Sequence, residues 1–415
     1  MMREIFIEVT VVCITSFSLI AIPVIGYTAE SAEHLKNVSR SDLQTNKNMK
    51  VMELVGSLEL FSAGDVVIEG DYAYIADGDK RLISVDVSDP ENPVFLDSLG
   101  EYGSENGVAL DVSGDYAFVA TEADGILMAG ISDPSNLAIE GRYIYAYAKD
   151  IEVVGDYAYV ADQDYGLKIV NISNVSMPVE TGSVATDGPF GLVIEGNLAY
   201  CADNDGGLCI VNIVPPDSPT IEGECHPFHN MRRIGFHNNH IYSDFDYSLD
   251  IINVSDPLSP SSLGAYPVNC RAIAIYDDYA YIAMGYMGQG IVVLDLADPS
   301  SPVVVDSITI GYPTLGIAVD EEYVYVAASE MLFIYSKPIE YICGDSNSDE
   351  VVNVSDAVWI VNYVFIGGDP PYPLESGDTN CDDFCNISDA VWIVNYVFVG
   401  GNKPCDTDGD QDPDC

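Results

Sequence analysis

Apolar and small residues alternate with polar ones at period two through most of the chain, in short runs broken by turn residues. The clearest runs are Val66-Val67-Ile68-Glu69-Gly70-Asp71-Tyr72-Ala73-Tyr74-Ile75-Ala76-Asp77 and Ile151-Glu152-Val153-Val154-Gly155-Asp156-Tyr157-Ala158-Tyr159-Val160-Ala161-Asp162. Each predicts strand, tight turn, strand, with Gly-Asp supplying the turn and the alternation giving every strand a core face. Further copies centre on Tyr116, Leu198, Ile241, Tyr279 and Tyr323. After most of them comes an apolar third strand closed by an Asp-Pro turn, as in Leu82-Ile83-Ser84-Val85-Asp86 with Asp89-Pro90. Proline there occupies a place where no ladder N–H is needed.

The copies recur about every 42 residues, the period of a four-stranded propeller blade. Seven are visible, and the last, residues 316–336, stops after its third strand. The segment from Met52 to Leu60 resembles the missing fourth strand. The expected fold is therefore mainly β: a seven-bladed β-propeller closed by an N-terminal strand, which hides its edges. The recurrent Tyr-Ala-Tyr reads as strand packing. Over about 52–337 these units resemble the LVIVD repeat family of extracellular propellers, the naming motif standing as Leu167-Lys168-Ile169-Val170-Asn171 and Leu208-Cys209-Ile210-Val211-Asn212. That resemblance implies a fold and says little of function, because propellers serve as enzymes and binding scaffolds alike.

After Pro338 the pattern changes to two near-copies, beginning at Gly344-Asp345 and Gly377-Asp378, each followed by Ala-Val-Trp-Ile-Val-Asn-Tyr-Val-Phe. Oxygen-bearing side chains fall at the spacing by which a twelve-residue loop wraps one calcium ion. Asp345, Asn347, Asp349, Asn353 and Asp356, with the carbonyl of Val351, serve one site. Asp378, Asn380, Asp382, Asn386 and Asp389, with the carbonyl of Phe384, serve the other. Two calcium ions are the expected cofactors. Glu350 and Asp383 stand at the sixth loop position, where Gly normally takes a left-handed turn. A loop followed by one helix, duplicated and closed by Asp, resembles a type I dockerin over about 343–401.

Helices are expected at 357–366 and 390–399, apolar nearly all round, so a face is left over for a partner unless they cover each other or the propeller. The dockerin resemblance implies partner choice at Val354, Ser355, Ile387 and Ser388 and along the following helices, which carry Trp359 and Trp392. It implies a cohesin-like partner and, since the halves are nearly identical, docking in two orientations.

Charge removes some function classes. With 15 Lys and Arg against 66 Asp and Glu the formal net charge is −51, which repels nucleic acid and anionic membranes. The N-terminus reads as an export signal, Met1-Met2-Arg3 before an apolar run from Ile5 to Ile25 with small residues at Ala29 and Ala32; a retained anchor is the competing reading. Nine cysteines from Cys201 to Cys415 suit an oxidising compartment, with their pairing open. The organisation expected is 1–32 signal peptide, 33–50 linker, 51–337 propeller, 338–403 dockerin and 404–415 acidic tail. The product is secreted or held at the cell surface, with no membrane contact after signal cleavage.

The fourth-to-first-strand connections carry Lys149, His226, His229, Arg232, Arg233 and Arg271, a concentration of base suited to an anionic ligand such as a uronate-bearing glycan, or to charge balance against nearby carboxylates. Asp77, Asp162, Asp203 and Asp244 recur after the second strands and read as turn stabilisers. No nucleophile elbow, Walker loop or zincin helix is present, so no catalytic residues are assigned. The expected function is a binding protein whose propeller recognises a glycan or protein and whose dockerin attaches it to a scaffold. The rivals are a dockerin-borne subunit of a polysaccharide-degrading complex, a glycoside hydrolase or lyase, and a structural surface protein that self-associates with calcium.

Overall fold

The computed structural model describes residues 48–50, 52–100, 107–121, 125–204, 206–225, 231–245, 248–285, 290–349, 351–371, 373–382 and 384–405. The expected signal peptide, most of the linker and the acidic tail beyond Cys405 lie outside the described residues.

Among the described residues the repeats build six sheets. Five are four-stranded, spanning 107–143, 148–184, 189–225, 234–266 and 272–309, and each runs up and down in chain order. The sixth is six-stranded and contains the first and last copies together. The fold is a β-propeller, but the expectation of seven blades is corrected to six. The reason is local to two long strands. Leu54–Glu69 pairs through its first half with Tyr323–Ser336, in the register Leu54↔Tyr335, Ser57↔Phe333 and Glu59↔Met331. Past a register shift, its second half pairs with Tyr72–Asp77. One continuous strand thus serves two copies and fuses them. Leu60 and Leu332 are buried in one cluster with Val66, Ile75 and Ile83, so the join is packed as well as hydrogen-bonded.

Small residues let neighbouring sheets approach: Ala73, Ala158 and Ala280 are fully buried, and Tyr74, Tyr242 and Tyr281 are among the largest fully buried side chains. Each such side chain contributes about 1.5–3 kcal/mol of transfer free energy. Gly70, at φ 57°, turns the first hairpin in the left-handed region that a Cβ disfavours. The closing Asp-Pro segments are held by side-chain turns, as where Asp86 Oδ1 accepts from Ser88 N at 3.0 Å and Ser88 Oγ at 2.6 Å.

Carboxylates stitch successive innermost strands. Asp65 accepts from Leu110 N at 3.2 Å, Asp111 from Val153 N at 2.7 Å, Asp150 from Leu192 N at 2.8 Å and Glu152 from Ile194 N at 2.6 Å. The acceptor and donor lie one repeat apart in each case, so acidic side chains do here what ladder bonds cannot do between separate sheets.

Part of the expected linker is ordered as strand: Asn48–Lys50 pairs antiparallel with Ile339–Tyr341. Beyond it lie α1 (Val354–Ile366) and α2 (Ile387–Val399). Both begin three residues before the expected 357 and 390. A capping box sets the start: Asn353 Oδ1 accepts from Ser355 N while Asp356 Oδ2 accepts from Asn353 N at 2.8 Å, and Asn386 and Asp389 repeat the arrangement. Left-handed Gly367 and Gly400 end the helices.

Candidate metal centres and ligand face

The twelve-residue loops converge as their spacing requires. Carboxylate oxygens of Asp345, Asp349 and Asp356 lie within 4.8 Å of one another, and those of Asp378, Asp382 and Asp389 do the same. Asp356 closes its loop by accepting from Asn347 N at 3.2 Å; Asp389 accepts from Thr379 N at 2.9 Å and Asn380 N at 3.3 Å. Asp345 Oδ1 accepts from Asp349 N at 3.0 Å. The carbonyls of Val351 and Phe384 accept from Asn353 Nδ2 and Asn386 Nδ2. Burial raises the pKa of Asp356, opposed by its backbone donors and reinforced by Asp345 and Asp349; Asp389 is raised by burial too, with Asp378 adding to it. A cation between the carboxylates relieves both effects, and an all-oxygen donor set suits a hard one. Glu350 and Asp383 lie outside the described residues. The left-handed residues found in these loops are Ser348 and Cys381, each with φ 58°, at the fourth position.

The helices meet over a very small core of Ala357, Ile360, Ala390 and Ile393. A disulfide between Cys343 and Cys405 ties the ends of the module, which the cysteine spacing had left open. Cys201, Cys209, Cys225, Cys270 and Cys385 are free thiols.

The LVIVD repeat family matches residues 62–99, 106–144, 146–186, 191–226 and 269–309, and the dockerin type I domain family matches 343–398. The chain carries LVIVD repeats and a C-terminal dockerin type I domain. No curated protein matches the chain. Among solved structures, the β-propeller domain of Cps50 (Swd1) from Myceliophteria thermophila aligns with a TM-score of 0.56 at 13% identity, over 69% of this chain and 99% of that one. The computationally designed Ika8 protein aligns with a TM-score of 0.50 at 11% identity, over 69% and 100%. At such identities the likeness shows the fold alone.

In the dockerin, Val354 and Ile387 are exposed, Ser388 is exposed and Ser355 partly so, while Trp359 and Trp392 are half-buried. Trp392 Nε1 donates to the Lys403 carbonyl at 3.0 Å. The most open aromatic side chains of the two helices are instead Phe365 and Phe398, 67% and 68% exposed, next to the still more open Ile366 and Val399 and with Val358 and Val391 exposed on the same helices. The tryptophans were named because they stand at equivalent places on the two helices; both are half-buried, while the phenylalanines are exposed.

In the LVIVD propeller, second-to-third and fourth-to-first connections share one end of each up-and-down sheet. Six of the nine Lys and Arg between 52 and 337 stand there: Lys80, Arg81, Lys149, Arg232, Arg233 and Arg271. The structure brings Lys149 and Arg232 together, Nζ and Cζ lying 5.1 and 5.2 Å from the centre of the Phe190 ring. Arg232 Nε also donates to Asn204 Oδ1 at 3.2 Å. Arg232 and Arg233 donate their backbone N–H groups to Asp244 Oδ1 at 2.8 and 2.5 Å, while the charge of Arg233 opposes the burial that raises Asp65 and Asp150. Arg271 stands beside Gly285, and its charge and that of Arg233 both act on the buried Cys270. His226 and His229 lie outside the described residues. Asp77, Asp203 and Asp244 each accept backbone donors of their own or the adjoining connection, the turn role expected of them.

A cleft of 460 Å³ adjoins Phe190, lined by Gln163, Asp164, Thr186, Asp187 and Asn204. Sequence reasoning missed it because its walls come from three connections in two repeats. The signal was available in principle: both connection types fall at one end of a meander.

Proposed function

We propose that this chain is an extracellular or cell-surface attachment protein, in which the dockerin binds two calcium ions and docks to a cohesin-like partner while the propeller carries the recognition surface. The observation that carries the reading is the pair of carboxylate triads, each built into the loop that caps an apolar helix. Asp356 and Asp389 belong at once to the triad and to the capping box. Calcium binding and the orientation of each helix N-terminus are thereby the same event, and an ion that binds the folded loop stabilises it.

Docking follows from the exposed aliphatic and aromatic side chains that the four-residue core leaves uncovered. Among the described residues no helix is long and apolar enough to cross a membrane. The cations collected at one end of an otherwise acidic propeller support anion recognition there.

The test is capture of the full chain on immobilised cohesin modules, with calcium, with chelator, and with Asp356→Ala and Asp389→Ala combined. Capture by the calcium-loaded wild type alone is expected. Capture indifferent to chelator and to the double variant overturns the reading.

A further inference from the structure

We infer that the third LVIVD copy carries a binding site for an acidic glycan chain, one whose sugar rings bear carboxylates. The inference deepens the reading of the propeller as a recognition surface and rests on it.

Copy three carries a buried cation in its motif strand. The third residue of that strand is apolar in five copies, Ile83, Leu127, Cys209, Val292 and Phe333, but Asp250 in the copy at 248–253 and Lys168 here, only 8% exposed. Its ammonium donates to the Tyr145 carbonyl at 2.7 Å and to Glu180 Oε2 at 3.3 Å, lies 3.6 Å from Asp162, and sits 5.2 Å from the centre of the Tyr165 ring. Glu180 is held in turn by the hydroxyl of Tyr143, whose ring meets Tyr145 edge-on. Burying a lysine is costly unless it is paired, so this network is a built feature of the copy. It holds in place two aromatic rings that are open to solvent, Tyr145 at 71% and Tyr165 at 67%.

Next to Tyr165 begins the cleft. Its walls are fixed: Gln163 N donates to the Tyr147 carbonyl, Asn204 N to the Gly188 carbonyl, and Thr186 Oγ1 to the buried Asp203. On the channel side stand Lys149 and Arg232, both braced on Phe190. The cleft therefore offers acceptor and amide groups, with Phe190 and the two cations braced on it at one side and the exposed ring of Tyr165 next to Asp164 in the chain.

A chain of uronate sugars matches all three. The C–H faces of the rings lie on tyrosine, hydroxyls donate to Asp164 and Asp187 and exchange hydrogen bonds with Gln163 and Asn204, and a carboxylate pairs with Arg232 or Lys149. An acidic peptide meets the same acidic surroundings but lacks the run of hydroxyl donors that Asp164 and Asp187 would accept.

Calorimetric titration of the full chain with a glucuronate tetramer, with its carboxyl-reduced neutral counterpart and with polyglutamate tests this. The uronate tetramer is expected to bind with and without chelator, because the site uses no calcium. Arg232→Gln, Lys149→Gln and Tyr165→Ala are each expected to weaken it by about tenfold or more, the loss of one charge-assisted bond or one stacked ring, with the neutral tetramer weakened similarly. A cooperative melt in chelator, at a temperature close to that of wild type, shows that the propeller of each variant is folded. No binding by the wild type overturns the inference, as do equal binding of the neutral tetramer or of polyglutamate, or three variants that bind like wild type. If saccharide binding fails while calcium-dependent capture on cohesin persists, the docking reading stands and this site falls; the opposite pair of results does the reverse.

Discussion

Asp150 and Glu152 face the interior of the ring among other carboxylates, and burial is the leading cause that pushes them up, to about 7 and about 8. Asp65 and Asp111 add repulsion, while the backbone donors Leu192 and Ile194 and, at Asp150, Arg233 work against the rise. A carboxyl group whose folded pKa lies above its unfolded value binds more protons in the folded state. Its contribution to stability is therefore full below the unfolded pKa and is lost as pH rises through the folded one. The window here runs from the ordinary carboxylate range to about 8. The melting temperature of the propeller is expected to fall as pH rises from about 5 to about 8, and Glu152→Gln should flatten that fall and raise the melting temperature at the upper end. Calorimetric melts of wild type and variant across that range check the sign; a wild-type melt that climbs with pH contradicts it. The alternation of residues places Glu152 on a strand, but only the closed ring, which brings inner strands one repeat apart into contact, half-buries it against Ile194 N and the neighbouring carboxylates.

The two helices are nearly the same element used twice, and their duplication carries a consequence for docking. Phe365 and Phe398 stand at equivalent places, as do Val358 and Val391, and both sets are exposed. Either half can then offer the same apolar face to one partner. Phe365→Asp and Phe398→Asp alone are each expected to retain capture on cohesin, with affinity lowered by about twofold as one of two equivalent modes is removed. The combined change should lose it by two orders of magnitude or so, a buried aromatic anchor being worth about 2 kcal/mol or more. Surface plasmon resonance on immobilised cohesin reads the difference, and a single substitution that abolishes binding refutes equivalence.

At this scale the sequence is legible wherever the signal is local. Loop spacing located the triads, and period two located the strands. The helix starts were set three residues late because Asn353 and Asp356 were weighed as ligands and not as a capping box. The blade count failed where one strand runs on from the last copy into the first, as Leu54–Glu69 does. The cleft at Phe190 was missed because only the fourth-to-first connections were weighed, whereas Gln163 and Asn204 come from second-to-third connections at the same end.

Across the whole molecule, the closure of the ring depends on chain that precedes the first complete repeat. Residues 54–59 supply the outer partner of Met331–Tyr335, and Asn48–Lys50 pairs with Ile339–Tyr341 where the chain leaves the propeller. Met52 and Leu60 are buried, and Val55 and Leu58 pack against the same cores from partly buried positions. At about 1.5–3 kcal/mol for each fully buried side chain, removal of the segment forfeits several kcal/mol. That is a large share of the 5–15 kcal/mol that typically separates folded from unfolded domains. It also uncovers the edge of a strand carrying Leu332, Phe333 and Ile334, which is a template for pairing with another copy. A chain lacking residues 1–60 is therefore expected to melt lower and to run as higher oligomers in size-exclusion chromatography. A synthetic peptide of residues 52–60, supplied in trans, should restore both properties by refilling the same ladder, and a scrambled peptide should not. Truncation that leaves melting temperature and oligomeric state at wild-type values would remove the N-terminal strand from the account of how the ring is held shut.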